Sequence, residues 1–405
     1  MTHQKHKEHD FSLKLRQASV IEGFADYVRW QRSLRNHRPA ASVPDMAPVS
    51  INLDLTTACN FSCPHCVDSG IINSGRQLDL EQVKKSLDTL KAHGLLSVIL
   101  LGGGEPTLYR GFGEVVRYSK EIGLQVGIVT NGSKLQRVKD VAHLLGKHDW
   151  LRLSLDAATQ ETFDKLHRPK TGVQLNDILE NAREIKSQNP GLSLGYSFVI
   201  MWEGLEMNGL PIAPNIDEMQ KAAGLAALYG FDYISFKPCL IRLPDLHKET
   251  LLDSVDRQKQ KEIINAVKKR IDETKDAAGD RIKILESVNL IAMIHHRVHE
   301  LKKQPKTCHM HIFNSVLAPD GIFHCPAFRG VESAKIAEAD GYAGEENFQK
   351  TLENLRRSID CFDAKKECDR IACFYNDVNW WIENFIASET PVASLEKAED
   401  DNFFF

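Results

Sequence analysis

Three cysteines fall within eight residues, Cys59-Asn60-Phe61-Ser62-Cys63-Pro64-His65-Cys66, in C-x3-C-x2-C spacing. A closed structural zinc site takes four ligands, whereas three thiolates can hold three corners of a cubane iron-sulfur cluster and leave one iron open. An open iron can bind a substrate or cofactor directly, which makes the arrangement catalytic and not only electron-storing. The competing reading is a zinc site completed by His65 or a distant histidine. A second set of thiols, Cys308, Cys325, Cys361, Cys368 and Cys373, crowds the last quarter of the chain, and Cys239 stands alone. Asp320-Gly321 reads as a tight turn that returns Cys325 beside Cys308, so a thiol from each arm of a hairpin can share one soft-metal centre. Two further ligands are available in the C-x6-C-x4-C run: Cys368 and Cys373 are the chosen pair, with Cys361 as the substitute. A zinc knuckle is the alternative here too.

These residues need elements to position them. From Ile51 onward, short apolar runs alternate with longer charged segments of helical period, the pattern of repeated strand-helix units and a parallel sheet. The pattern predicts strands at 50–55, 97–101, 125–130, 150–155, 192–200 and 233–237, and helices at 79–93, 111–122, 135–145, 175–188, 217–229 and 253–275. Right-handed crossovers then curl six parallel strands into a partial (β/α)6 TIM-type barrel, an α/β fold whose post-strand loops gather at one mouth. The first cysteine loop lies directly after the first strand. Leu101-Gly102-Gly103-Gly104-Glu105-Pro106 follows the second, where glycines allow a ligand close to the backbone. Thr130-Asn131-Gly132 ends the third, and alternation along the fourth puts Ser154 and Asp156 on one face, able to hydrogen-bond a ligand. Arg168, in the next loop, can pair with a carboxylate. Cys239 ends the sixth strand, either as a core thiol or as a group at the mouth. Residues 1–48 read as a lead-in with one helix over 24–34, 49–275 as the barrel, 276–387 as a C-terminal cysteine-rich subdomain, and 388–405 as a mobile tail.

With that placement the chain resembles the radical S-adenosylmethionine (radical SAM) superfamily over roughly 51–238. The resemblance implies that Cys59, Cys63 and Cys66 ligate a [4Fe-4S] cluster whose open iron is chelated by S-adenosylmethionine. It implies one-electron cleavage of that cofactor to methionine and a 5'-deoxyadenosyl radical, which abstracts a hydrogen atom from the substrate. A flavodoxin- or ferredoxin-type protein would supply the electron. By the same resemblance Gly103, Gly104 and Glu105 contact the methionine amino group. Ser154 and Asp156 serve a ribose or the methionine carboxylate, and Asn131 and Arg168 join the cofactor site. The C-terminal thiols resemble the auxiliary-cluster extension called SPASM, or more closely its shortened relative, the twitch subdomain. Cys308, Cys325, Cys368 and Cys373 would then hold one auxiliary [4Fe-4S] cluster. The spacing departs from that pattern, with only three residues between Gly321 and Cys325.

Composition narrows the partners. With 51 basic against 55 acidic residues and a net charge of -4, there is no electrostatic case for a dedicated nucleic-acid binder. The longest apolar run, 95–101, is far short of the roughly 20 residues that span a bilayer. Nine cysteines, an odd number with no secretion signal ahead of them, point to the cytoplasm and to ligands more than to disulfides. The expected function is radical SAM chemistry on a small-molecule substrate of sugar, aminocyclitol or nucleotide-sugar type, by oxidation, epimerisation or elimination. In an epimerase, Cys239 or Cys361 could return a hydrogen atom. Modification of a ribosomal peptide ranks second, because the 48 residues ahead of the barrel are too few for a leader-binding domain. A zinc- or iron-sulfur-stapled non-enzymatic module ranks third.

Overall fold

A computed structural model of the chain describes residues 10–36, 44–207, 209–243, 248–252, 255–388 and 390–405. The strands of the barrel wall are β1 (Ser50–Leu53), β2 (Ser97–Leu100), β3 (Gln125–Thr130), β4 (Trp150–Ser154) and β5 (Ser193–Ile200). A small hairpin, β6 (Glu206–Met207) and β7 (Leu210–Pro211), precedes β8 (Tyr233–Pro238), and a second, β9 (Ile241–Leu243) and β10 (Lys248–Thr250), follows it. Then come β11 (Lys283–Glu286), β12 (Asn314–Ala318), β13 (Gly321–Phe323) and β14 (Lys335–Ala337). Ten of these form one sheet in the order β11-β8-β5-β4-β3-β2-β1-β12-β13-β14. Neighbours from β11 through β12 pair in parallel, and β13 and β14 add antiparallel.

The six expected strands are all present, and every residue of β1 and β2 is buried, as strands covered on both faces require. Helices of amphipathic period return the chain between them, for example Leu80–Ala92, Phe112–Glu121 and Leu175–Gln188. The expectation of six strands is nevertheless short by one. After the long helix Arg257–Ala278, β11 joins β8 in parallel, so the strand-helix alternation runs one unit further than the sequence pattern suggests. The C-terminal part is also less separate than expected. Strand β12 pairs with β1 from Ser50↔Asn314 to Leu53↔Leu317, and the hairpin turned at Asp320-Gly321 therefore extends the barrel sheet itself.

Both ends of the chain are built in. The lead-in helix, Ile21–Arg35, buries Phe24, Tyr27 and Trp30. Phe24 stacks on Trp381 at 5.3 Å, Tyr27 meets Phe313 edge-on, and Arg32 donates to the carbonyls of Phe385 and Thr390 at 2.8 Å. Residues 1–9 and 37–43 of the lead-in lie outside the described residues. The tail, expected to be mobile, instead lies across the first residues of several strands. Ser97 donates to the Phe403 carbonyl, Gln125 accepts from the Phe403 amide, Phe404 meets Trp150 edge-on, and Asn314 donates to the Phe405 carbonyl. Three consecutive phenylalanines bury themselves at the bottom of an open barrel, where apolar strand ends would otherwise face water. Among the described residues, no helix is long and apolar enough to cross a membrane.

Candidate functional site

The first cysteine loop leaves β1 at the mouth and is pinned from several sides. Asn73 accepts from the Cys59 amide at 2.9 Å, the His167 carbonyl from the Ser62 amide, and the Asn60 carbonyl from the Lys170 amide. Lys170 Nζ donates to the Cys59 carbonyl at 3.1 Å, and Phe61 is buried against the rings of Phe163 and His167. The three thiols themselves stay only half-buried. Burial and their mutual proximity push the Cys63 thiol well up, and burial beside Asp68 pushes Cys66 to about 12. Three electrostatically coupled thiols on one short loop favour thiolates only when a cation takes up the charge, so the set fits a metal centre.

His167, which the sequence reading passed over in favour of its neighbour Arg168, is the side chain closest to this loop's chemistry. Its Nδ1 lies 3.3 Å from Cys63 Sγ, and its Nε2 lies 2.8 Å from the Leu155 carbonyl. Asp156 is wedged between His65 Nε2 at 3.3 Å and His167 Nε2 at 3.6 Å, with its other oxygen accepting from the Val199 amide. The three ligand atoms of His65, Asp156 and His167 lie within 4.8 Å of one another. His65 thus turns Nε2 to Asp156, and its Nδ1 is buried without a hydrogen-bond partner. Burial opposes the Asp156 charge, yet the His65 hydrogen bond and the two imidazoles hold its carboxyl below the ordinary range. Its backbone is left-handed, with φ 51°. Both carboxylate oxygens of Asp156 thus have partners within the protein. Arg168 closes the helix Gln160–His167 in a left-handed conformation, and its exposed side chain makes no ion pair among the described residues. A usable signal was present: Phe163 and His167 are four apart and share the buried face of that helix.

At the end of β2, Gly104 is required by contact. A Cβ there would lie 2.3 Å from the Ala58 carbonyl oxygen, so only glycine lets the two loops touch. Glu105 is buried, and its Oε1 accepts from the Thr107 amide and the hydroxyls of Thr107 and Thr130, while Oε2 accepts from the Asn131 amide at 2.8 Å. Burial raises its carboxyl and these four donors oppose the rise. The carboxylate thus ties the end of β2 to the end of β3, with Oε2 the less occupied oxygen. The side chain of Asn131 reaches Asn60 in the cysteine loop at 3.1 Å, and Ser154 is half-buried at the end of β4. Cys239 ends up buried, near enough to Asp156 for that carboxylate to add to the rise of its thiol. Its thiol is 1% exposed, contacts Met207 Sδ and the Leu240 carbonyl, and is pushed by burial to about 12.

The second thiol set forms a closed nest. Cys308, Cys325, Cys368 and Cys373 share an apolar cluster with Val316, Phe323, Phe328, Phe362 and Ile371. Cys308 comes just before the turn His309–Ile312, not on the hairpin arm itself. Backbone amides two and three residues on face each sulfur: Met310 and His311 for Cys308, Ala327 and Phe328 for Cys325, Tyr375 and Asn376 for Cys373. Burial drives these thiols up, Cys308 to about 11 and Cys325 to about 12. His311 and His324 lie 3.9 Å apart, tilted by 41°, beside them, and His311 Nδ1 and both ring nitrogens of His324 are buried without hydrogen-bond partners. Buried, partnerless polar groups of this kind are costly, which fits a nest built around a charged inorganic group. Cys361 is exposed at the end of the helix Glu345–Cys361 and takes no part in the nest.

The two sets meet across Arg329, four residues after Cys325. Its Nε lies 2.6 Å from Asp54 Oδ2 and its Nη1 3.0 Å from Asp68 Oδ2, while the guanidinium rests on Gly102, where a Cβ would be 2.8 Å away. Arg242 of β9 donates to the Val67 carbonyl, and its hairpin packs on the turn Pro326–Phe328.

Known proteins resemble this chain over parts of its length. An S-adenosylmethionine-dependent nucleotide dehydratase of Selenomonas ruminantium is 35% identical over 28% of this chain and 40% of that protein. The mycofactocin maturase MftC of Mycolicibacterium smegmatis is 30% identical over 45% of this chain and 43% of that protein. The chain thus spans less than half the length of these curated relatives. Streptococcus suis SuiB bound to precursor peptide SuiA superposes with a TM-score of 0.56 at 14% identity, covering 86% of this chain and 76% of SuiB, a likeness of fold. Residues 53–203 match the family model of the Radical SAM superfamily, and the chain carries a radical SAM domain, whose cofactors are a [4Fe-4S] cluster and S-adenosylmethionine.

Proposed function

We propose that the chain is a radical SAM enzyme with one auxiliary cluster and that its substrate is a peptide. The observation that carries this reading is the joining of two thiol sets by one continuous sheet, β1 leading into one and β12–β13 flanking the other. When bound, the cluster and S-adenosylmethionine supply a 5'-deoxyadenosyl radical able to abstract hydrogen. Cys59, Cys63 and Cys66 hold the cluster on a loop that Asn73, Lys170 and His167 keep rigid. Gly103 and Gly104 bring the end of β2 against the cysteine loop, so that the methionine end of the cofactor would be bound there by Glu105 Oε2 and Ser154. Cys308, Cys325, Cys368 and Cys373 hold the auxiliary cluster, so 49–275 acts as the radical-generating body and 276–387 as its continuation.

The peptide reading replaces the small-metabolite one, which rested on the short segment ahead of the barrel. What supports the peptide reading is the likeness of fold to SuiB, solved with a bound precursor peptide, over 86% of this chain. A nucleotide substrate is the second reading, favoured by the dehydratase at 35% identity over a shorter stretch. The deciding experiment incubates the anaerobic, flavodoxin-reduced holoenzyme with S-adenosylmethionine and either short peptides encoded beside its gene or nucleoside triphosphates, followed by mass spectrometry. A peptide mass change matched by 5'-deoxyadenosine supports the reading; turnover of a nucleotide with peptides unchanged overturns it. Replacing Cys361 by Ser leaves the iron content unchanged, whereas Cys368→Ser removes the auxiliary iron.

A further inference from the structure

Asn379 lies in the Asn379-Trp380-Trp381 stretch after the last cysteine, and neither the barrel chemistry nor the thiol set uses it. It sits on the first turn of the helix Asn376–Ala387 and is 1% exposed. Its Oδ1 accepts from the His309 amide at 2.8 Å and from the Met310 amide at 3.3 Å. Two backbone donors on one oxygen fix which way the amide faces, and the Nδ2 end is left pointing at Cys308 Sγ, 3.6 Å away. The same helix start directs the Asn376 amide at Cys373.

We infer that Asn379 is a positioning residue for the auxiliary centre: its amide N–H donates to the Cys308 sulfur, holding that ligand and raising the reduction potential of the cluster it binds. Hydrogen bonds to cluster sulfurs stabilise the more negative, reduced state. Backbone amides face sulfurs of both sets, but among the described residues no side-chain amide is recorded at Cys59, Cys63 or Cys66, where the side-chain nitrogen belongs to His167. The Asn379 donor thereby sets the auxiliary centre at a higher potential than it would have without it. The inference rests on the auxiliary cluster proposed above.

Asn379→Asp separates anchoring from donation. The carboxylate still accepts from His309 and Met310, but an oxygen faces the sulfur where a donor stood. Asn379→Leu removes both roles without adding charge. Each reconstituted holoprotein is assayed for iron and titrated potentiometrically with low-temperature EPR. The expected result is a downward shift of the auxiliary midpoint in Asn379→Leu. In Asn379→Asp either a larger shift or selective loss of the auxiliary iron is expected, with the first signal unmoved in both. An Asn379→Asp protein whose auxiliary potential and line shape equal the wild type's overturns the inference, since a purely structural anchor would survive that change. A wild-type protein with only about four irons, one cubane's worth, overturns the two-cluster reading and the inference with it.

Discussion

The two thiol sites solve the same problem in opposite ways. At the mouth, three half-buried cysteines within eight residues sit on a loop that the barrel holds rigid through Asn73, His167 and Lys170. In the C-terminal nest, four cysteines drawn from residues 308 to 373, one buried and three half-buried, come from the ends of separate elements and are lined by Val316, Phe323, Phe328 and Phe362. The first scaffold exists without its metal and leaves one position for an outside ligand. The second gathers its ligands from distant segments, and the metal is a large part of its scaffold. Three thiols at one site and four at the other is the difference expected between a centre that binds a cofactor and one that only exchanges electrons.

Chelation breaks the comparison most strongly. Stripping all iron is expected to leave amides of β1 and β2 protected in hydrogen exchange while those of 361–375 lose at least about tenfold in protection, a little over 1 kcal/mol of local stability. Equal loss in both regions would contradict the contrast. Gly104→Ala attacks the first site alone. The 2.3 Å clash with Ala58 is expected to displace the cysteine loop, halving the iron and abolishing the EPR response to S-adenosylmethionine while the auxiliary signal persists. Phe24→Ala instead loosens the helix that covers the C-terminal helix. It is expected to cost about 3–5 kcal/mol in denaturant unfolding, with the auxiliary iron more easily chelated.

The smallest effect is electrostatic. Hydrogen bonds from His309 and Arg35, working against burial, hold the Glu383 carboxyl at about 2. A carboxyl lowered in the folded state stabilises fully above its ordinary value near 4.5, and that contribution is lost as the pH falls towards 2. Solvent screening at this partly exposed group leaves on the order of 1 kcal/mol. Glu383→Gln should flatten that limb of the acid-unfolding curve.

How much of this could be read beforehand follows from how local each feature is. The loop Cys59 to Cys66 and the six strands are carried by contiguous residues, and hydrophobic alternation exposes them directly. Strand β11 was missed because it follows a 22-residue helix, where the alternation had seemed to stop. Cys368 and Cys361 are equivalent by spacing; only burial of one in the nest and exposure of the other separates them. His167 and Arg329 act across 104 and 261 residues of sequence, through contacts that spacing does not encode. The tail misled because its acidic residues dominate the composition, while its three terminal phenylalanines fill a gap that exists only once the barrel is formed.

The most direct test of the central claim is anaerobic iron and sulfide content with low-temperature EPR, with and without S-adenosylmethionine, on the wild type and on a variant with Cys59, Cys63 and Cys66 all replaced by Ala. The account predicts about eight irons falling to about four, with only the lost signal having responded to S-adenosylmethionine. Zinc in place of iron, or loss of all iron in the variant, would contradict it.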